Sequence, residues 1–370
     1  GAPEVSFSET YDTELVGKIE LLTQDKDFPA GTLGQRDRTL DHGTMVPLYF
    51  IRQKYDGFKL VRIGLSGLPL TEHYTFGQLI QQAVEETGRR VVYVASGDLS
   101  HKLQEYGPYG FAPEGSQYDE RIMSVCSGGN FGELFDFEES FCDKAAECGH
   151  RSFVIMAGAL DGHAVEAKQL SHEDVTGVGY GICEFFPEGR DESRNFLDQY
   201  IKKTEDKLRA VRENEDPYVR LARASLESYV LGRKEIDIPD WVPEEMRNKR
   251  AGTFVSVHEH GRLRGCIGTI MPTAQNIARE IIRNAISAAV RDPRFDPIEP
   301  DEIPWLEIKV DELKEPEAIS GPESPVAVTP RRAYSVRSAG ASSLLCPTIA
   351  HPTVRTICRN VSSGSVTCMP

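Results

Sequence analysis

Val91-Val92-Tyr93-Val94-Ala95-Ser96-Gly97-Asp98-Leu99-Ser100-His101 follows directly on a stretch of helical spacing, Phe76, Leu79, Ile80, Ala83 and Val84, that closes at Gly88. Apolar residues recurring at i, i+3 and i+4 predict a helix over 76–87, and the glycine predicts its stop. The uninterrupted apolar run after it predicts a strand buried on both faces, with the polar Ser96-Gly97-Asp98 as the loop at its carboxyl end. Helix followed by buried strand is the repeating unit of an α/β domain with a mostly parallel or mixed sheet flanked by helices.

Outward from that stretch the pattern recurs. A helix is expected over 138–147, then Gly149, then a strand over Ser152-Phe153-Val154-Ile155-Met156-Ala157. Val61-Arg62-Ile63-Gly64-Leu65 is a further strand candidate. The first domain is therefore placed at 1–187. Residues 188–215 are strongly charged and predict a solvated helical linker. Asp216-Pro217 starts a new helix, with Asp as its cap and Pro in the first turn, running to Gly232. Beyond it, Thr253 to His258 and Leu263 to Ile270 read as a hairpin around Glu259-His260-Gly261-Arg262. A helix over 274–290 and a strand from Trp305 to Val310 complete an α+β second domain at 216–330.

The 370 residues suit about two domains. With 57 acidic against 42 basic side chains the formal charge is −15, which argues against a global nucleic-acid footprint or attachment to an anionic membrane surface. Apolar residues at 39 % are enough to bury real cores, and no stretch approaches the roughly 20 apolar residues of a membrane span. The cysteines at 126, 142, 148, 183, 266, 346, 358 and 368 include no CxxC pair, which predicts reduced thiols of a cytoplasmic protein. The opening residue is Gly1 rather than Met, and its segment runs straight into a strand-like pattern, so the first domain is expected to be N-terminally incomplete. Residues 331–370 hold no Asp, Glu or Lys but five Arg, seven Ser and three Cys, and are expected to be an aberrant or disordered tail.

Three local patterns offer chemistry. In Ser96 to His101, a histidine at the end of a strand with Asp98 three residues before it is placed for proton transfer or metal ligation; the plainer reading is a loop histidine and a capping aspartate. In Leu40-Asp41-His42-Gly43-Thr44-Met45-Val46-Pro47-Leu48, the glycine lets the backbone turn behind an exposed imidazole. In Glu147-Cys148-Gly149-His150, carboxylate, thiol and imidazole stand in sequence and offer metal ligands; the alternative is a helix end, with Gly149 stopping the helix and His150 meeting its dipole.

Together these motifs resemble the class III extradiol dioxygenases of the LigB type and the related Memo proteins, completed by Ala157-Gly158-Ala159-Leu160-Asp161-Gly162. The resemblance implies a non-haem Fe(II), or another divalent metal, opening an aromatic ring with dioxygen. It puts Glu147 in the carboxylate ligand's place and Cys148 as a competing ligand. His101 takes the acid–base place with Asp98 beside it, and His42 lines the pocket. The family's two metal-binding histidine motifs, of His-Pro-Pro and Ser-Pro-His type, do not occur in this sequence. The chain is therefore expected to hold Fe(II) poorly.

In the second domain, Arg250-Ala251-Gly252-Thr253-Phe254-Val255-Ser256, Leu263-Arg264-Gly265-Cys266-Ile267-Gly268-Thr269 and Ala288-Ala289-Val290-Arg291-Asp292-Pro293-Arg294-Phe295 resemble the AMMECR domain. Strand geometry puts Arg264, Cys266 and Gly268 on one face, where a cation beside a thiol favours thiolate. Arg264 and Cys266 are the substrate-binding candidates; the plain alternative is a small buried residue in a tight hairpin. His258 and His260 share a face and read as turn residues. A LigB-like domain joined to an AMMECR domain is similar to protein A of AmmeMemoRadiSam systems. That similarity implies a Memo-like protein B and a radical S-adenosylmethionine enzyme as partners. Two readings stand at this point: a metal-dependent oxidoreductase acting on a small substrate, and a non-catalytic accessory subunit of the radical enzyme.

Overall fold

The computed structural model describes residue 6 and residues 8–31, 39–259 and 261–313, together with the backbone of 334–337 and 366–367. The chain divides into two compact units, Gly1–Lys202 and Lys203–Pro370. Most of the tail expected at 331–370, and His260, lie outside the described residues.

The first unit begins with α1 (Thr13–Asp25), whose N-terminus is capped by Asp12 accepting the Leu15 N–H. In α2 (His42–Arg52) Asp41 does the same for Thr44 at 2.7 Å; each cap satisfies one of the donors a helix start leaves open. Next comes α3 (Leu70–Thr87), which ends on the left-handed Gly88 as the sequence predicts. α4 (Pro113–Gly128) starts on a proline and stops at the left-handed Gly129. The short α5 (Glu139–Ala145) and α6 (His150–Ala159) lead into β1 (His163–Glu173) and β2 (Tyr180–Arg190), an antiparallel pair.

α3 and α6 are packed backbone to backbone. A Cβ at Gly77 would strike the Ile155 carbonyl, and one at Gly158 would strike the Tyr74 carbonyl. Tyr74, Leu79, Ile80, Val154 and Ile155 are buried on either side of that contact. Tyr118, Ile122 and Val125 of α4 build the rest of the core with Phe131 and Leu134.

The α/β organisation holds, but the strands fall elsewhere than the apolar runs suggest. Ser152 to Ala157 lies inside α6, not in a strand. A short run apolar on every side fits a buried helix as well as a buried strand, and here Ala157-Gly158-Ala159 lets the helix approach α3 closely. α5 is shorter than the helix expected at 138–147 and ends on Ala146, so Gly149 opens α6 instead of closing its predecessor. Residues 61–65 and 91–95 are not strands. A strand exists only through a ladder partner, and among the described residues neither segment has one. Val92 is 88 % exposed.

The boundary between the units falls within α7 (Phe196–Glu213). The stretch read as a charged linker thus holds the end of β2, a 3-10 turn and this helix, of which Leu197 and Leu208 are buried.

In the second unit α8 (Pro217–Gly232) is capped by Asp216, and α9 (Glu244–Asn248) precedes the hairpin of β3 (Thr253–Glu259) and β4 (Arg262–Gly268). The hairpin turns at Gly261, φ 78°. α10 (Ile277–Val290) follows, capped by Asn276, then β5 (Leu306–Leu313), β6 (Tyr334–Arg337) and β7 (Val366–Thr367). The antiparallel sheet has the order β6-β5-β3-β4-β7. Val255, Val257, Ile267, Ile308 and Val310 point from it onto Leu221, Leu226, Ile281 and Ala285 of α8 and α10. This is the expected α+β domain. Among the described residues of the chain, no helix is long and apolar enough to cross a membrane.

Candidate active site

The loop after residue 95 is held from three directions. Leu99 N–H donates to Gly179 O at 2.9 Å, just before β2. Ser100 N–H donates to Asp119 Oδ1 of α4 at 2.8 Å, and Ser100 Oγ–H donates to Ala145 O of α5, also at 2.8 Å. Asp119 is itself buried and 3.0 Å from His172 Nε2 on β1. Burial raises its carboxyl above the usual range, against the pull of His172 and the Ser100 N–H. His101 therefore stands on a loop whose backbone groups are largely fixed.

Cys148 arrives from the other side, between α5 and α6. Gly97 and Gly149 make the approach possible, because a Cβ on Gly97 would collide with the Gly149 Cα. The backbones are stitched there: Asp98 N–H donates to Cys148 Sγ at 3.2 Å and Cys148 N–H to Asp98 O at 3.4 Å.

Asp98, His101 and Cys148 thus offer three ligand atoms within 4.8 Å of one another. Asp98 Oδ2 is 3.3 Å and Cys148 Sγ 3.8 Å from the same atom, Nε2 of His101. Because both neighbours meet one nitrogen, the three cannot act as a relay in which the acid orients one side of the ring and the nucleophile uses the other. Convergence on one point suits a shared proton or a cation. The other flank of the imidazole is covered by Tyr109, stacked at 5.0 Å between ring centroids. Partial burial pushes the Cys148 thiol above the ordinary range, and the carboxylates of Asp98 and Glu147 push the same way; the Asp98 N–H opposes them.

The other sequence candidates stand apart from this cluster. Glu147 Oε2 accepts the His150 N–H at 2.6 Å, taking up a donor of the α6 start, and burial raises its carboxyl. His42 is exposed at the first position of α2, whose N-terminal turn is docked by Ser96 Oγ–H donating to Gly43 O at 2.7 Å. In the second unit the Arg264 guanidinium grips Glu302 with Nε and Nη2, at 2.6 and 2.9 Å, and also reaches the carbonyls of Asp296 and Pro297. Cys266 is 4 % exposed, with its Sγ 3.2 Å from Ser256 Oγ and its N–H given to Asp292. Asp119 and Tyr109 stand outside the sequence motifs. Asp119 had a signal, being an acid within the apolar face Tyr118, Ile122, Met123, Cys126 of a helix; Tyr109 had none.

Comparison with known proteins finds two families along the chain. Residues 1–183 match the family described as the catalytic LigB subunit of aromatic ring-opening dioxygenase, and residues 219–361 match AMMECR1. Protein CA_C1420 of Clostridium acetobutylicum is 40 % identical over 330 residues, covering 87 % of this chain and 70 % of that protein. A Thermotoga maritima protein is 49 % identical over 106 residues, 28 % of this chain and 61 % of its own length. Among solved structures, the crystal structure of uncharacterized protein PH0010 from Pyrococcus horikoshii matches at 37 % identity over 31 % of this chain and 57 % of that one, with a TM-score of 0.28. The chain belongs to the family in which a LigB-like domain of the aromatic ring-opening dioxygenase type is followed by an AMMECR1 domain.

Proposed function

We propose that the first unit is a divalent-metal-binding domain built on the extradiol-dioxygenase fold, acting in the cytoplasm on a small aromatic substrate. Its working residues are Asp98, His101 and Cys148. The observation that carries the reading is the meeting of a carboxylate, a thiol and an imidazole nitrogen beside a fixed loop, within 4.8 Å. The lack of any CxxC pair in the sequence supports a reducing compartment.

The donor set decides which metal fits. A facial iron site needs two imidazoles and a carboxylate. Among the described residues the cluster holds one imidazole, and Glu147 is engaged by the start of α6. Iron of the facial kind therefore does not fit these residues, and no step is assigned through it. One imidazole, one carboxylate and one thiol are the donors of a softer divalent cation such as zinc. In the chain's own chemistry His101 Nε2 would hold or pass a proton. Asp98 would accept the N–H of that nitrogen, and Tyr109 would keep the ring in place.

The single imidazole also favours a second reading, in which the domain keeps the LigB fold without a metal or a reaction of its own. It would then serve as an accessory subunit of a radical S-adenosylmethionine enzyme and a Memo-like protein. One experiment separates the two. The chain is loaded anaerobically with Zn(II) or Fe(II), desalted and assayed for bound metal, beside His101→Ala and Cys148→Ala. Near-stoichiometric metal lost in both variants supports the metal site. Metal bound equally by all three, or by none, overturns it.

A further inference from the structure

Met123 and Cys126 stand three residues apart on α4 and share a helix face; Gly181 and Cys183 stand two apart on β2 and share a strand face. The two faces meet. A Cβ on Gly181 would run into Met123 Sδ, so helix and strand touch at that pair. A Cβ on Gly179 would likewise run into Asp119, so the two elements run in the same direction, and one step further along both brings Cys126 and Cys183 opposite each other. Both are free, Cys126 inside the apolar cluster and Cys183 packed on its edge, half-buried.

We propose that Cys126 and Cys183 are an oxidation site that closes reversibly into a disulfide joining α4 to β2, with a peroxide as oxidant. Cys183, reachable from solvent, gives up its proton and its sulfur attacks one peroxide oxygen. The O–O bond breaks, Cys183 becomes a sulfenic acid, and the departing oxygen leaves as water. Cys126 sulfur then attacks the Cys183 sulfur. The S–O bond breaks, and the hydroxyl leaves with the Cys126 proton as a second water. Two thiols lose two electrons in all, and the peroxide gains them. Cys183 is the more exposed of the two and so meets the oxidant first, while Cys126 is buried in the apolar cluster behind it. Closing the bond brings the two sulfurs to about 2 Å.

The link would also bear on the site. Asp119, two turns before Cys126 on α4, holds the Ser100 N–H of the His101 loop and meets His172 of β1. A covalent tie would fix this helix against the hairpin that supports the same loop.

The test uses the full chain, treated with a small excess of hydrogen peroxide, alkylated with iodoacetamide under denaturing conditions, digested and mapped by mass spectrometry. The expected product joins the Cys126 and Cys183 peptides, is two hydrogens lighter than their sum, and is undone by dithiothreitol. Two alkylatable thiols per chain disappear with it. Cys183→Ala should keep Cys126 fully alkylatable after the same treatment. The proposal is overturned if the unmutated chain leaves both residues alkylatable while Cys148 or Cys142 oxidises, or if Cys126 joins any other cysteine.

Discussion

Cys148 Sγ lies 3.8 Å from His101 Nε2, although the two residues are 47 positions apart and sit on separate loops. The contact is a consequence of Gly97 lying against Gly149, so the meeting of thiol and imidazole is built by two residues that carry no chemistry.

The thiol should react slowly. Its pKa stands above the ordinary range, so at pH 8 little of it is thiolate, the nucleophilic form. Asp98→Asn removes one of the negative charges that raise it and keeps the backbone N–H that lowers it. The variant is expected to be alkylated by iodoacetamide at Cys148 about threefold faster at pH 8, because more of the thiol is then thiolate. Peptide-resolved alkylation rates measure it, and an unchanged or slower rate contradicts the account.

His150 makes the first unit sensitive to acid. Its ring is buried, Nε2 lies 3.0 Å from the Leu134 carbonyl and Nδ1 3.2 Å from the Tyr118 hydroxyl. This suits a neutral ring that donates from Nε2 and accepts at Nδ1. Burial is the main cause that lowers its pKa to about 4. A depressed folded pKa gives stability that is complete above the unfolded value, near 6.5, and is lost as pH falls through about 4. The loss is on the order of 3 kcal/mol. Thermal melts by circular dichroism should show the midpoint falling over that window. His150→Leu, less stable at pH 7, should show a flatter profile there.

Much of this architecture is legible in the chain. The helix of 70–87 announces its stop through Gly88, and the hairpin of 253–268 announces its turn through Gly261, because φ near +60 to +80° favours glycine. The motif from Ser96 to His101 is legible as a site because Asp98 and His101 are close in sequence. The partner of that motif is not. Glu147 and Cys148 are adjacent, and only the unpaired N–H at the start of α6 turns the carboxylate away and leaves the thiol facing His101. The run 152–157 misleads for a related reason: a segment buried on all sides carries no period from which helix and strand can be told apart.

Gly77 and Gly158 are expected to tolerate no side chain. At each, an added Cβ strikes main-chain atoms of the opposite helix, which cannot rotate aside as a side chain would. Gly158→Ala should separate α3 from α6 and cost about 3 kcal/mol, against a gain of under 1 kcal/mol from helix propensity. Gly17 on α1 is the control, since nothing lies within 4 Å of a Cβ there. Gly17→Ala should raise the melting midpoint slightly while Gly158→Ala lowers it by several degrees.

In the second unit the same logic falls on a charge pair. Arg264 and Glu302 are 17 % and 19 % exposed at their side chains, and the guanidinium binds both carboxylate oxygens. Glu302 Oε1 also accepts the Glu299 N–H at 2.7 Å, so the pair fastens β4 to the segment that leads into β5. Lysine offers a point charge where this geometry uses a planar fork, so Arg264→Lys should recover less than half of what Arg264→Ala loses. Arg264→Ala leaves a half-buried carboxylate without its cation and should cost about 2 kcal/mol, the low side for a broken pair because water still reaches it. Both tryptophans, Trp241 and Trp305, belong to this unit, so fluorescence during urea unfolding reports on it alone. Equal midpoints for Arg264→Lys and the unmutated chain would mean that charge alone, and not the fork, holds the segment.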